Sequence, residues 1–144
     1  MPVHWTQCDP KDQMFTFIAD SGEPFHFNTT SLDKACRELN VPIVEIQLTP
    51  AMVEHVRTHN GVEEDHVVRL TPTERDQPIL LCLFNTTQCV VDGNHRFVRR
   101  FRDGFNTIQA HAIPESLWRQ YLITGITPEV SQFFVDETIK GQSS

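Results

Sequence analysis

The chain has 144 residues, of which 39% are hydrophobic and 22% are charged, and its formal net charge at pH 7 is −7. This length suits one domain with its own core, and the acidic balance argues against binding nucleic acid or anionic membranes through bulk charge. No apolar run approaches the roughly 18 residues of a transmembrane helix, and the N-terminus lacks the pattern of a signal peptide. We therefore expect one soluble, cytoplasmic domain over residues 1–144 with no membrane partner.

The four cysteines, Cys8, Cys36, Cys82 and Cys89, form no Cys-x-x-Cys pair. Cys82 and Cys89 lie in apolar runs of the kind that form buried strands. Because a free cysteine in such a run is usually a small core residue, we favour core cysteines over a disulfide or a zinc site.

The first third of the chain predicts a β-hairpin. Two apolar runs, 14–19 and 25–29, flank the sequence Asp20-Ser21-Gly22-Glu23, whose residue types are typical of a hairpin turn. The phenylalanines of the second run share one face of the predicted strand. We therefore expect His26 on the opposite face, in contact with solvent.

After the hairpin, short helices and strands follow one another, bounded by proline, glycine and asparagine. The continuous apolar run at 79–84 indicates a buried central strand. The predicted elements are, in order, a helix at 32–39 capped by Ser31, a strand at 42–48, a helix at 50–59, a short helix or turn at 62–70, a loop at 71–78, strands at 79–84 and 89–91, a helix at 94–104, a strand at 105–113, a helix at 114–123, a short helix from 127 and a frayed tail at 140–144. This order predicts an α+β fold in which short helices flank a small mixed sheet.

The sequence Asp92-Gly93-Asn94-His95-Arg96 joins a predicted strand to the helix that follows. Gly93 would let the backbone approach an anion, and the first amides of the helix would point towards it. Arg96 would donate two hydrogen bonds to phosphate oxygens, and His95 would donate one or transfer a proton. We therefore favour an anion site over an ordinary turn. Its phosphate contacts would be Gly93, Asn94, His95 and Arg96, with Asp92 holding a metal ion or orienting His95.

This helix carries four of the twelve basic residues of the chain, namely Arg96, Arg99, Arg100 and Arg102. Arg99 and Arg100 follow Arg96 by three and four positions, so they share its side of the helix. Two interpretations stay open. The arginines form a solvated face that pairs with the surplus acidic residues, or Arg99 and Arg100 form a basic rim that contacts nucleic acid.

His55 and His59 are four residues apart on the predicted helix at 50–59, and His66 follows nearby. This spacing is compatible with two metal ligands on one face. The residue after His55 is valine, however, so the pattern of zinc proteases is absent. We favour polar histidines on a helix surface.

The order of strand, Asp-Gly, His-Arg, glycine-ended helix and proline-ended strand resembles the ParB/sulfiredoxin superfamily. The matching residues are Val90-Val91-Asp92-Gly93-Asn94-His95-Arg96, and Gln77-Pro78-Ile79-Leu80 resembles the start of an earlier strand of that family. The resemblance covers about residues 41–114. It implies a ParB/sulfiredoxin-like core there, with residues 1–40 and 115–144 as additions, and a nucleotide whose phosphates lie at the Gly-x-x-Arg turn.

Asn94 stands where sulfiredoxin-like enzymes carry a catalytic cysteine, so the resemblance does not imply sulfinic acid reduction. The Asp-Gly-x-His-Arg form is most similar to the free-serine kinase branch and to small phage and bacterial ParB-like proteins. That branch implies that the turn holds phosphates and a metal ion while an upstream glutamate acts as a base. Here the first candidate for that base is Glu54 and the second is Glu45.

Three functions are open. The first is Mg²⁺-dependent phosphoryl transfer from, or hydrolysis of, ATP or CTP, with Asp92, His95 and Glu54 as catalytic residues. The second is a binding module that nucleotide regulates without chemistry. The third is a ParB-like nuclease or DNA-directed kinase that contacts nucleic acid through Arg99 and Arg100. The sequence also leaves a homodimer open.

Overall fold

The structure, a computed structural model, describes residues 3–85 and 87–142. Most of its strands and helices follow the predicted order, and the strands at 3–4 and 123–124 are additions to it. The strands and helices are β1 (Val3–His4), β2 (Met14–Ile18), β3 (Pro24–Asn28), α1 (Thr29–Glu38), β4 (Ile43–Gln47), α2 (Pro50–His59), α3 (Glu64–Arg69), α4 (Pro72–Arg75), β5 (Ile79–Leu83), β6 (Gln88–Asp92), α5 (Asn94–Arg102), β7 (Thr107–Ile113), α6 (Glu115–Trp118), β8 (Ile123–Thr124) and α7 (Pro128–Gln142). Single 3₁₀ turns lie at Trp5–Gln7 and Arg119–Tyr121.

The centre of the fold is a four-stranded mixed sheet with the order β4-β7-β5-β6. β5 is parallel to β7 and antiparallel to β6, while β4 is antiparallel to β7. The apolar strand β5 therefore has a neighbour on each side, as its composition predicts. Leu80 of β5 is the partner of Asp92, the last residue of β6. This register places the Asp-Gly turn beside the beginning of β5.

Hydrophobic clusters cover both faces of this sheet, and alternate residues of β5 enter different clusters. Ile79 and Leu81 pack with side chains of α2, α3 and α5. Leu80 and Cys82 pack with side chains of α1, α6 and the hairpin. Cys36 and Cys89 are also buried in this second cluster, which confirms the prediction that the strand cysteines are core residues. The sheet is thus a middle layer between two groups of elements.

The predicted α+β class, the small mixed sheet and the N-terminal hairpin are confirmed. β2 and β3 are antiparallel, with Phe15 opposite Phe27 in the register. The ParB/sulfiredoxin-like topology of residues 41–114 stays a prediction. Of the helices in the described residues, not one has both the length and the apolar character needed to cross a membrane.

The prediction that His26 faces solvent is wrong. Its side chain is 9% exposed, and its two ring nitrogens lie 2.9 Å from the hydroxyl oxygens of Thr16 and Ser131. The ring also contacts Phe134. Because α7 covers the outer face of the hairpin, both faces of β3 are buried, and alternation within the strand could not show this.

Several helix boundaries also differ from the prediction. The helix predicted at 114–123 is the four-residue α6, followed by a 3₁₀ turn and the beginning of β8. Asn28, not Ser31, caps α1, since its side chain accepts the Ser31 amide hydrogen. The segment predicted as a loop at 71–78 contains α4, which a Thr71–Glu74 capping box starts. The short helix predicted from 127 is the fifteen-residue α7, and residues 143 and 144 of the predicted frayed tail lie outside the described residues.

Candidate functional site

Gly93 joins β6 to α5 in a left-handed backbone conformation, with φ of 92°. A β-carbon at this position would overlap the Ile79 side chain and would lie 2.8 Å from Arg96 Nη2. The positive φ and the lack of space both require glycine. No side chain caps the first turn of α5, so its outward amides lack the partner that a capping residue would supply.

Arg96 lies across this turn and contacts Asp92. Its Nη2 is 3.3 Å from Asp92 Oδ2, and its Nη1 is 3.4 Å from Gln77 Oε1. Charge-assisted hydrogen bonds are usually about 2.7–2.9 Å long, so the guanidinium is held loosely. Burial raises the pKa of Asp92, Arg96 opposes this rise, and Asp33 adds to it. The pair is therefore a half-buried charge site at the edge of the sheet.

Asn94 and His95 attach the beginning of α5 to the segment after α2. Asn94 is 6% exposed, and its Oδ1 accepts a hydrogen bond from Asn60 Nδ2 at 2.8 Å. His95 Nε2 accepts the backbone N–H of Glu63 at 3.0 Å, and its ring stacks on His66 with centroids 4.0 Å apart. Because Nε2 accepts, the neutral His95 ring carries its proton on Nδ1. The described residues offer that Nδ1 proton no acceptor.

Two histidines, the buried His26 and the partly buried His95, predict a loss of stability in acid. Burial and the neighbouring His66 lower the pKa of His95, and burial lowers the pKa of His26. A histidine that binds protons more weakly when folded contributes its full stability above the unfolded value of about 6.5, and this contribution is lost as the pH falls below it. We expect the melting temperature to decrease from pH 7 to pH 5.5, and to decrease less in His95→Gln, whose amide oxygen can still accept the Glu63 N–H.

Thermal unfolding followed by circular dichroism across this pH range measures the effect. His55→Gln, which changes an exposed histidine of α2, is the control and should keep the wild-type slope. If His95→Gln has the same slope as this control, the assignment of the acid sensitivity to His95 is wrong.

The two candidate bases lie on surfaces and have other partners. Glu54 of α2 forms an ion pair with Arg57, with Oε2 accepting from Nε at 2.9 Å, and this hydrogen bond lowers the pKa of Glu54. Glu45 of β4 accepts from Thr107 Oγ1 at 2.9 Å. Within the described residues, neither carboxylate forms a hydrogen bond or ion pair with residues 92–96. Their role as a base stays a prediction.

No group of three or more His, Cys, Asp or Glu side chains in the described residues is arranged to hold a metal ion. His55 and His59 stack on each other with centroids 4.4 Å apart, and His59 Nδ1 contacts Thr58 Oγ1 at 2.8 Å. The role of Asp92 as a metal ligand also stays a prediction.

Arg99 is bonded to the end of α3. Its Nη1 donates to the carbonyl oxygens of Val67 at 2.8 Å and Leu70 at 3.1 Å, and its Nε donates to Asp103 at 2.9 Å. Val67 lies in the last turn of α3, and its carbonyl also accepts the backbone N–H of Leu70, the residue that ends the helix. The contacts assign Arg99 a structural role that the sequence alone did not indicate.

Arg100 is bonded in the same way to neighbouring elements. Its Nε donates to the Thr107 carbonyl at 2.8 Å, its Nη1 donates to Asp76 at 2.7 Å, and its guanidinium lies 4.1 Å from the centroid of Phe105. Arg102 forms an ion pair with Glu64. The described contacts therefore fit the pairing of these arginines with acidic residues, and contact with nucleic acid stays a prediction.

An open pocket of about 650 Å³ lies next to the turn. It is formed by the C-terminal half of α1, residues 40–43, Gln77 and Pro78, and His111 of β7. Gln77 belongs to both sites, because it lines the pocket and accepts the hydrogen bond from Arg96. Sequence reasoning missed this pocket because its three segments, 33–43, 77–78 and His111, are far apart in the chain and carry no shared motif.

Comparison with known proteins gives no match to any family model, any curated protein or any solved structure. The resemblance to the ParB/sulfiredoxin superfamily therefore stays a prediction that rests on the motif.

Proposed function

We propose that this protein binds a nucleoside triphosphate, ATP or CTP, with its phosphates at the first turn of α5, and that it transfers or hydrolyses phosphate with Mg²⁺. The observation that carries the proposal is the left-handed Gly93, which starts α5 without a side-chain cap beside Arg96. Uncapped amides at the positive end of a helix, together with a guanidinium, are the donors that phosphate oxygens require.

Arg96 is proposed to change partners when phosphate binds. Its bonds to Asp92 and Gln77 are 3.3 and 3.4 Å long, so a phosphate with more negative charge competes well for the guanidinium. Asp92 would then be free to hold Mg²⁺, which prefers carboxylate oxygens. The metal ion would neutralise the negative charge that develops on the transferred phosphoryl group.

His95 and Glu54 differ in the contacts they make. The Nδ1 proton of His95 lacks an acceptor among the described residues, and it is available to a phosphate oxygen at the same turn. Glu54 is bonded to Arg57 on the surface of α2, so a role as the base would require this ion pair to open. The role of Glu54 rests on the sequence resemblance.

Binding at the turn is tested with inorganic tripolyphosphate, ATP and CTP, each with and without Mg²⁺. A ligand at about 100 times its Kd stabilises the native state by about 2.7 kcal/mol, which raises the melting temperature measurably. We expect Arg96→Met to weaken tripolyphosphate binding by about tenfold or more, because it removes charge-assisted hydrogen bonds. Arg119→Met is the matched control, since Arg119 also pairs with an acidic residue four positions away but lies in the 3₁₀ turn after α6.

Asp92→Asn separates the two roles of the carboxylate. Without Mg²⁺ it should tighten tripolyphosphate binding, because the negative charge that competes for Arg96 is gone. With Mg²⁺ it should remove the additional affinity that the metal provides. The proposal fails if the wild type binds none of these ligands in any metal condition, or if Arg96→Met behaves like Arg119→Met.

Turnover distinguishes the enzyme from the regulated binding module. Catalysis by Glu54 would be supported if the wild type releases phosphate from ATP or CTP and Glu54→Gln binds the nucleotide equally well but releases none. Binding without any turnover would support the module. Among the described contacts, nothing specific favours the nuclease or the DNA-directed kinase.

A further inference from the structure

The pocket beside the turn contains a buried histidine with one unused nitrogen. His111 is 7% exposed, and its Nδ1 lies 3.0 Å from the carbonyl oxygen of Val41. Because a carbonyl oxygen only accepts hydrogen bonds, Nδ1 carries the proton, and Nε2 of the neutral ring carries a lone pair. No described residue contacts this lone pair through a hydrogen bond.

The unused nitrogen is open to the pocket and is not sealed in the core. In the described part of the chain, every fully buried side-chain nitrogen or oxygen has a hydrogen-bond partner. Nε2 of His111 has none, so it retains contact with the space outside the core, and the space that His111 lines is this pocket. The pocket thus presents an acceptor that a bound N–H or O–H group would satisfy.

Gln77 supplies the complementary donor. Arginine only donates, so the Gln77 oxygen must face Arg96, and the amide NH₂ must point away from it. The described residues provide no acceptor for this NH₂ group. Both residues line the same pocket, so it offers an acceptor on His111 and a donor on Gln77 that the described residues leave available to a ligand.

The other lining residues favour an uncharged ligand. Asp33 and Arg37 form an ion pair with each other at 2.9 Å. Burial, assisted by the charge of Asp33, raises the pKa of Cys36 to about 11, so this thiol is neutral. Much of the remaining wall is apolar, including Pro42 and Pro78. Ligand pockets commonly combine such apolar walls with a few polar groups at volumes of about 300–1,000 Å³.

We propose that this pocket binds the base of the nucleotide, as a flat, uncharged heterocycle that donates an N–H to His111 Nε2 and accepts from the Gln77 amide. The proposal rests on the proposed function, because Gln77 connects the pocket to Arg96 and hence to the phosphate turn. A base in this pocket would leave its phosphates on the side where Gln77 meets Arg96.

The test uses nucleosides, which carry the base without phosphate. Adenosine, guanosine, cytidine and uridine are titrated into ¹⁵N-labelled protein, and the imidazole nitrogen signals of His111 are followed by NMR. We expect at least one nucleoside to shift the Nε2 signal with saturation. If adenosine or cytidine binds, replacing both hydrogens of its exocyclic amino group with methyl groups should weaken binding by about tenfold, because the N–H donor is lost.

His111→Asn is the variant that isolates Nε2. Its amide NH₂ can still donate to the Val41 carbonyl, while the acceptor at the Nε2 position is gone. We expect nucleoside affinity to fall by about tenfold with the circular dichroism spectrum retained. His55→Asn, on the exposed face of α2, is the control and should bind as the wild type does. Equal nucleoside affinity in His111→Asn and the wild type would overturn the proposal, as would the absence of any nucleoside shift at His111.

These outcomes are separable from failure of the proposed function. Tripolyphosphate reports on the turn alone, and nucleosides report on the pocket alone. Loss of nucleoside binding in His111→Asn without any tripolyphosphate binding by the wild type would support the base pocket and reject the phosphate turn. If tripolyphosphate binding depends on Arg96 but nucleosides leave the His111 signals unchanged, the phosphate turn would be supported and the base pocket rejected.

Discussion

Gly93→Ala is expected to lower the free energy of unfolding by about 3 kcal/mol or more. A left-handed backbone costs a residue with a β-carbon about 1–2 kcal/mol, and forcing an extra carbon into a packed site adds about 1–3 kcal/mol. Both terms apply because φ is 92° and the new carbon would overlap Ile79. Urea denaturation, read as the midpoint and the slope, measures the loss.

Gly104→Ala is the matched control for this change. Gly104 has nearly the same φ, 88°, but no atom lies within 4 Å of the position that its β-carbon would occupy. Only the backbone term of about 1–2 kcal/mol is expected there. The difference between the two variants isolates the contact with Ile79. Equal losses in both would mean that the turn relaxes and that Ile79 does not restrict it.

Arg99→Met is expected to lower the free energy of unfolding by about 2–3 kcal/mol. It keeps the aliphatic stem but removes the guanidinium that donates to the carbonyls of Val67 and Leu70. Hydrogen bonds from charged donors contribute about 1.5–3 kcal/mol, and the Val67 carbonyl would keep only the Leu70 N–H as a donor. The site is partly shielded, since the Arg99 side chain is 23% exposed. Urea denaturation again provides the measurement.

Arg102→Met provides the comparison on the same helix. Arg102 is more exposed, at 37%, and its partner is the carboxylate of the exposed residue Glu64. Such surface pairs contribute little, so this variant should remain close to the wild type in stability. A loss in Arg99→Met no larger than that in Arg102→Met would show that the carbonyl contacts at the end of α3 do not stabilise the fold.

Helices and strands were predicted well where residues adjacent in the sequence determine their boundaries. Thr49 and Pro50 begin α2 and Asn60 ends it, so its limits at Pro50 and His59 match the prediction. The turn sequence predicted that Gly93 would let the backbone approach an anion, and this role stays a prediction. The group that approaches Gly93, however, is the Ile79 side chain of an adjacent strand, and the turn sequence carries no information about it.

Features made by distant segments could not be predicted in this way. His26 is buried because Ser131 and Phe134 of α7 reach it from more than a hundred residues away. Arg99 faces α3, and the register of that contact is fixed only when both helices pack on the sheet. The pocket around His111 likewise exists only after α1, β7 and the segment before β5 have come together.

The pairing of β1 with β8 has a consequence for the order in which the protein folds during synthesis. Val3 lies beside Ile123 in a parallel bridge of two residues, so β1 has no strand partner until nearly the whole described chain has left the ribosome. Contacts of such long sequence separation form late and slow the overall reaction, because closing the loop costs entropy before the contact forms. The pairing of β1 with β8 can therefore form only after residues 123 and 124 have been translated.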